Sequence, residues 1–145
     1  MGKIARSAAS LRVIADDLDP QLVTRLLGVP ASLSKRKGEE TVTRRGDTQI
    51  ARTGVWILKA EDLRPGDVDR QIVELLHSVS KDDAVWADLR SRFKIDLFCG
   101  LWVQEPDEGF ELRAETLALI ASRGLSLGIC VYALTADDAL MQSKA

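Results

Sequence analysis

Asp16, Asp17 and Asp19 stand together after an aliphatic run, and carboxylates gathered at a strand end are oxygen donors of the kind a divalent cation takes. Asp19 has a second reading. It precedes Pro20, and an aspartate followed by proline is a helix start: the carboxylate accepts first-turn amides, and proline fills the first helical position without wasting an N–H. No His, Asn or Glu nearby completes a shell, so no metal site is expected. His77 is the only histidine. It falls beside the apolar stripe of its helix, and nothing in the sequence sets a nucleophile or an orienting carboxylate against it, as a general base requires. Cys99 and Cys130 lie in apolar runs, whereas a reactive thiol needs an accessible, electropositive setting. They read as reduced, buried thiols of a cytoplasmic protein. The chain has no phosphate-binding glycine loop, no CxxC pair and no GxSxG elbow. No catalytic residue and no cofactor are expected.

Two other groupings carry more. Lys35, Arg36, Lys37, Arg44, Arg45 and Arg52 face only Glu39, Glu40 and Asp47 within their segment. This stretch is cationic in a chain whose net charge is −2. Long irregular segments in compact domains often bind, so these six residues are candidates for an anion or an acidic partner. The second grouping is aromatic. Alternation along the strands is taken to place Ile14, Trp56, Leu58, Phe98, Trp102, Cys130 and Tyr132 on one sheet face. Of these, Trp56, Phe98, Trp102 and Tyr132 are the candidate interface residues. Such a face needs cover. Either a central helix pair lies on it, with Trp86 and Phe93 packed there, or a second copy or a partner does.

The elements that must position these residues are marked by local signals. Residues 10–15 read as a strand. A helix follows from Pro20, with Leu22, Val23, Leu26 and Leu27 as its stripe, and Gly28 and Pro30 stop it. Residues 31–53 are polar, with a hairpin expected around Gly46-Asp47. Residues 55–58 form a second strand. Asp67 caps a helix with the stripe Val68, Ile72, Leu75, Leu76 and Val79. Asp82-Asp83 starts another, bearing Val85, Trp86, Leu89 and Phe93. Residues 94–104 alternate as a strand with Ile95, Leu97, Cys99, Leu101 and Val103 on one face. A last helix over 113–123, with Leu117, Ile120 and Ala121 inward, ends at Gly124, and residues 125–134 form the final strand. The order predicts an α+β fold: a ferredoxin-like sheet from two similar β-α-β halves joined by an inserted helical pair. Residues 1–9 are expected to be an N-terminal extension, 10–134 the single domain, and 135–145 a flexible tail.

Several of these motifs in this order resemble a bacterial family known as domain of unknown function 4279. They are Asp17-Leu18-Asp19-Pro20 with its helix and Gly28-Val29-Pro30, then Lys37-Gly38-Glu39, the Gly54-Val55-Trp56 strand, and the closing helix–Gly–strand to Tyr132. The resemblance runs over roughly residues 11–132. Leu112-Arg113 departs from it, standing where a capping Ser or Asp is typical. The family has no established activity, so the resemblance implies fold and origin and no reaction.

The balance of 20 basic against 22 acidic residues argues against bulk nucleic-acid binding. No apolar run approaches the ~20 residues that span a bilayer, and no secretory leader is read at the start. The expectation is a cytoplasmic, non-enzymatic binding module, working through a protein partner or self-association. One form would be an immunity-type protein that blocks a toxin. The alternative is a small enzyme or anionic-ligand-binding domain using the 16–19 turn and the basic loop 35–52.

Overall fold

The computed structural model describes residues 1–135. The elements are β1 (Gly2–Lys3), β2 (Arg6–Ala15), α1 (Pro20–Leu27), β3 (Leu33–Lys35), β4 (Glu40–Val42), β5 (Thr48–Ile50) and β6 (Gly54–Lys59). There follow α2 (Val68–Ser78), α3 (Asp83–Arg92), β7 (Lys94–Val103), β8 (Glu108–Gly109), α4 (Ala114–Ser122) and β9 (Ser126–Ala133). The strand expected over residues 10–15 begins at Arg6, so residues 6–9 of the expected N-terminal extension lie in the main sheet. The expected tail over 135–145 falls, except for Thr135, outside the described residues.

β2 is the spine. Its alternation buries Ser7, Ala9, Leu11 and Val13 on one side and turns Arg6, Ala8, Ser10, Arg12 and Ile14 to the other. The sheet order is β3-β6-β2-β7-β9. β3–β6, β6–β2 and β2–β7 are antiparallel, and β7–β9 is parallel. The fold is α+β. The two halves are not alike, however. β7–α4–β9 is a parallel unit, whereas β6 returns antiparallel beside β2. The reason lies between α1 and β6, where the chain lays down the β3 edge strand and the separate β4–β5 hairpin before it turns back into the sheet. Sequence patterning shows a strand and a helix but not the direction in which the next strand runs.

Among the described residues, α1, α2, α3 and α4 all pack on the side of Leu11, Val13, Trp56, Leu97 and Cys99. Val23 and Leu27 of α1, Ile72 and Leu76 of α2, Trp86 and Leu89 of α3, and Ile120 of α4 join those residues in one core. Trp86 and Phe93 belong to this core, so the central helix pair does not cover the opposite face. Helix ends follow the sequence signals. Asp19, Asp67 and Asp82 cap α1, α2 and α3 through their carboxylates. Gly28 stops α1 in the left-handed conformation, at φ 84°. α4 is rotated from expectation: Thr116 and Ile120 point inward, and Leu117 is exposed. The phase is set where Gly124 turns the chain and Leu125 donates its N–H to the Ile120 carbonyl.

Two polar clamps fix the helices. The Ser7 hydroxyl donates to Gln71 Oε1 at 2.6 Å, and Gln71 Nε2 donates to the Ser7 and Glu61 carbonyls at 3.0 and 2.8 Å. These buried groups satisfy one another and lock α2 to β2. The second clamp resolves the missing cap at Leu112-Arg113. Asp69 of α2 reaches across and accepts from the Arg113 amide at 2.9 Å and from its Nε at 2.8 Å. A carboxylate thus sits at the positive end of α4, supplied by a neighbouring helix rather than by α4 itself. At Gly54, a Cβ would lie 2.6 Å from the Ala15 carbonyl oxygen, so only glycine lets β6 close against the end of β2.

Candidate functional site

The face of the sheet away from the helices is built in rows across the strands. Arg6 of β2 stands opposite Trp102 of β7, and Trp102 stands opposite Tyr132 of β9. The Arg6 guanidinium carbon lies 4.1 Å from the Trp102 ring centre. Trp102 and Tyr132 stack with centroids 4.9 Å apart at 21°. Arg6 is anchored from behind by Asp62, with Nε donating at 3.0 Å. The second row repeats the device: Arg12 makes a two-pronged pair with Asp96, both bonds 2.8 Å, and lies 4.6 Å over Phe98. The bond to Asp96 holds the Arg12 guanidinium above its ordinary value, outweighing the burial that lowers it.

Between the rows the side chains are small. Ala8, Ser10 and Gly100 floor a hollow of about 260 Å³ that Phe98, Trp102, Tyr132 and Lys59 overlook. Gly100 permits it, because the Trp102 ring leans across that position and would lie 3.0 Å from an added Cβ. Cys130 is half-buried on the same face. Its hydrogen bond with Tyr132 raises the phenol above its ordinary value. The hollow thus offers aromatic surfaces, the anchored Arg6 guanidinium and the Lys59 ammonium. These are tools for holding a ligand.

The sequence grouping is corrected at one strand. Trp56 and Leu58 lie on the opposite face from Phe98, Trp102 and Tyr132. Trp56 pairs with Val13 on the helix side, is fully buried, and donates its indole N–H to Thr24 Oγ1 at 3.0 Å. β6 is apolar on both faces, with Val55 and Ile57 outward. Alternation within such a strand cannot say which residues share a neighbour's face; only register can. Conversely, Arg6, Arg12, Asp62, Asp96 and Lys59 were missed. The alternation Arg6-Ala8-Ser10-Arg12 holds the signal, and half of it lies ahead of the strand expected over residues 10–15.

The cationic segment divides. Lys35 sits on edge strand β3, opposite Val55. Arg36 and Lys37 meet the acidic turn: Arg36 pairs with Asp19 at 2.7 Å and Lys37 with Asp16 at 3.3 Å. The Thr53 hydroxyl and Lys37 hold the Asp16 carboxyl below its ordinary value. Two features that stood apart in the sequence are therefore one ion-paired contact. Arg44 and Arg45 lie exposed at the turn of the β4–β5 hairpin and Arg52 at its base, with no ion pair among the described residues. Val42 and Ile50 of the hairpin are also exposed. His77 sits exposed in the last turn of α2. Burial pushes the Cys99 thiol up to about 11, which removes it as a nucleophile at neutral pH.

A family model described as a domain of unknown function (DUF4279) matches residues 4–134. The chain belongs to this family. The match runs from Ile4 to Leu134 and so takes in every row of the open face, from Arg6 to Tyr132. No curated protein and no solved structure matches the chain. Among the described residues, no helix is long and apolar enough to cross a membrane.

Proposed function

We propose that this family member is a non-catalytic protein-interaction module whose open sheet face receives a partner. The observation that carries this reading is the position of the helices: among the described residues all of them pack on one side, which leaves the Arg6–Trp102–Tyr132 and Arg12–Phe98 rows facing outward, the first of them beside a hollow. Large aromatics and arginine are the residues that anchor interfaces. Anchoring by Asp62 and Asp96 holds these side chains in place before a partner arrives, so little ordering entropy remains to be lost on binding. The hollow suits one apolar or aromatic side chain of the partner. Arg44, Arg45 and Arg52 on the hairpin would steer an acidic surface toward it. An immunity-type blocking role is one form of such a module, and the two reduced thiols suit a cytoplasmic setting. The alternative, an anion site between the 16–19 turn and the basic loop, draws less support. Arg36 and Lys37 already neutralise Asp19 and Asp16 there.

The test compares partners retained from the native host by the wild-type chain, by Trp102→Glu, and by a variant with Arg44 and Arg45 neutralised. A partner bound through the face is lost with Trp102→Glu while the circular dichroism spectrum stays unchanged. The double arginine variant binds it more weakly, with a flatter salt dependence. Retention of every partner by a folded Trp102→Glu chain would remove the face from the reading.

A further inference from the structure

The two edges of the main sheet are built differently. β3 is three residues long and carries Lys35, which is how natural sheets guard an edge. β9 is eight residues long, Ser-Leu-Gly-Ile-Cys-Val-Tyr-Ala, and holds no charge and no proline. It closes the sheet order, so among the described residues no strand lies beyond it. The Leu134 N–H bonds the Val103 carbonyl of β7. By strand alternation the even-numbered residues turn their backbone groups toward β7, and Leu127, Ile129, Val131 and Ala133 turn theirs outward. Side chains along this edge are apolar and open on both faces. Ile129 is 40%, Val131 61% and Tyr132 42% exposed.

We infer that β9 pairs antiparallel with β9 of a second copy of this chain, about a two-fold axis through Cys130. The sequence of the strand is complementary to itself in that register. Ile129 meets the other copy's Val131 in hydrogen-bonded positions, and Leu127 meets Ala133. On the open face, Tyr132 falls opposite Gly128, twice by symmetry. Gly128 has only the Phe98 ring, at 3.7 Å, and one carbonyl near the position of a Cβ, so the partner strand brings no side chain there to crowd the Tyr132 ring, which stays stacked on its own Trp102. A strand without charge meets no like-charge repulsion when paired with itself. The isologous contact closes after two copies and does not propagate. It joins the sheets into ten strands and brings both Tyr132–Trp102 stacks to its centre.

Sedimentation equilibrium of the purified full-length chain at micromolar to submillimolar concentration tests this. The expected mass is that of a dimer, and Val131→Lys, on an exposed position, shifts it to that of a monomer with the circular dichroism spectrum unchanged. Ile129→Lys serves the same purpose if Val131→Lys does not fold. In the proposed register the two Cys130 residues face each other directly, within reach of a disulfide. Oxidation by copper phenanthroline in air should therefore yield a covalent dimer on a non-reducing gel. The band should persist in Cys99→Ser and vanish in Cys130→Ser. A monomer throughout the concentration range overturns the inference. So does a dimer that survives both lysine variants, or one that forms no Cys130 link. None of these readouts depends on Trp102, so they stand apart from the test of the binding face.

Discussion

Removing Trp56 should cost far more than removing Trp102, although the two residues lie in sequence-similar apolar strands. Trp56 is fully buried and its indole N–H donates to Thr24. Truncation to alanine in a core costs about 3–5 kcal/mol, and the lost hydrogen bond adds about 1 kcal/mol. Trp56→Ala should thus lose about 4–6 kcal/mol of a native stability that is commonly about 5–15 kcal/mol. For a chain of this size that is a fall in Tm of roughly 10–20 °C. Trp102 is partly exposed and touches Arg6 and Tyr132. Its removal forfeits a cation–π contact of about 0.5–1 kcal/mol and a stacked pair of about 0.5–1.5 kcal/mol, without leaving a closed cavity. The expected loss is about 1–2.5 kcal/mol. Urea denaturation followed by far-ultraviolet circular dichroism measures both, with m checked for constancy. Equal midpoint shifts, or a Trp56→Ala chain within 1 kcal/mol of wild type, would refute the assignment of the two faces.

Two further outcomes follow from the titratable groups. Burial pushes the Asp69 carboxyl up, but the nearby Thr116 hydroxyl and the bonds from the Arg113 amide and guanidinium outweigh it and hold the group below its ordinary value. A lowered folded value means this stabilisation is complete above about pH 4 and is lost as pH falls through the folded value. Asp69→Ala should therefore cost about 2 kcal/mol at neutral pH and little once wild type is acidified, and an equal loss at every pH would exclude the charge as its source. In the thiols the contrast is kinetic. Iodoacetamide at pH 8 should label half-buried Cys130 well before Cys99, whose thiol is raised to about 11 by burial; simultaneous labelling in the folded chain would contradict the placement of Cys99.

The helices were legible because their signals are local. Asp19-Pro20, Asp67, Asp82 and Gly28 act on neighbours within one turn, and each does in the fold what its position suggests. The inward face of β7 was legible for the same reason, since a single strand alternates without regard to its partners. What escaped depends on chain pairing. The antiparallel return of β6 and the burial of Trp56 both follow from register with β2. The capping of α4 follows from Asp69, 44 residues away, and no local pattern announces it. The candidate site fell between these cases. Phe98, Trp102 and Tyr132 were found by alternation. Arg6 lies outside the strand expected over residues 10–15, Arg12 lies within it but nothing local announces its pairing with Asp96, and Asp62 sits in a turn where nothing marks it as a partner of the sheet.

The three tryptophans of the chain stand in three different surroundings. Trp56 lies under α1 with its N–H on Thr24. Trp86 is buried with its N–H on the Ser80 carbonyl at 2.8 Å. Trp102 alone faces outward, between a guanidinium and a phenol. Light emitted by the first two reports whether the core is intact. Emission from the third, the one an aqueous quencher can reach, reports whether the open face is occupied. The molecule therefore carries separate optical signals for folding and for binding, and occupancy of the hollow can be followed at native concentrations without attaching a label.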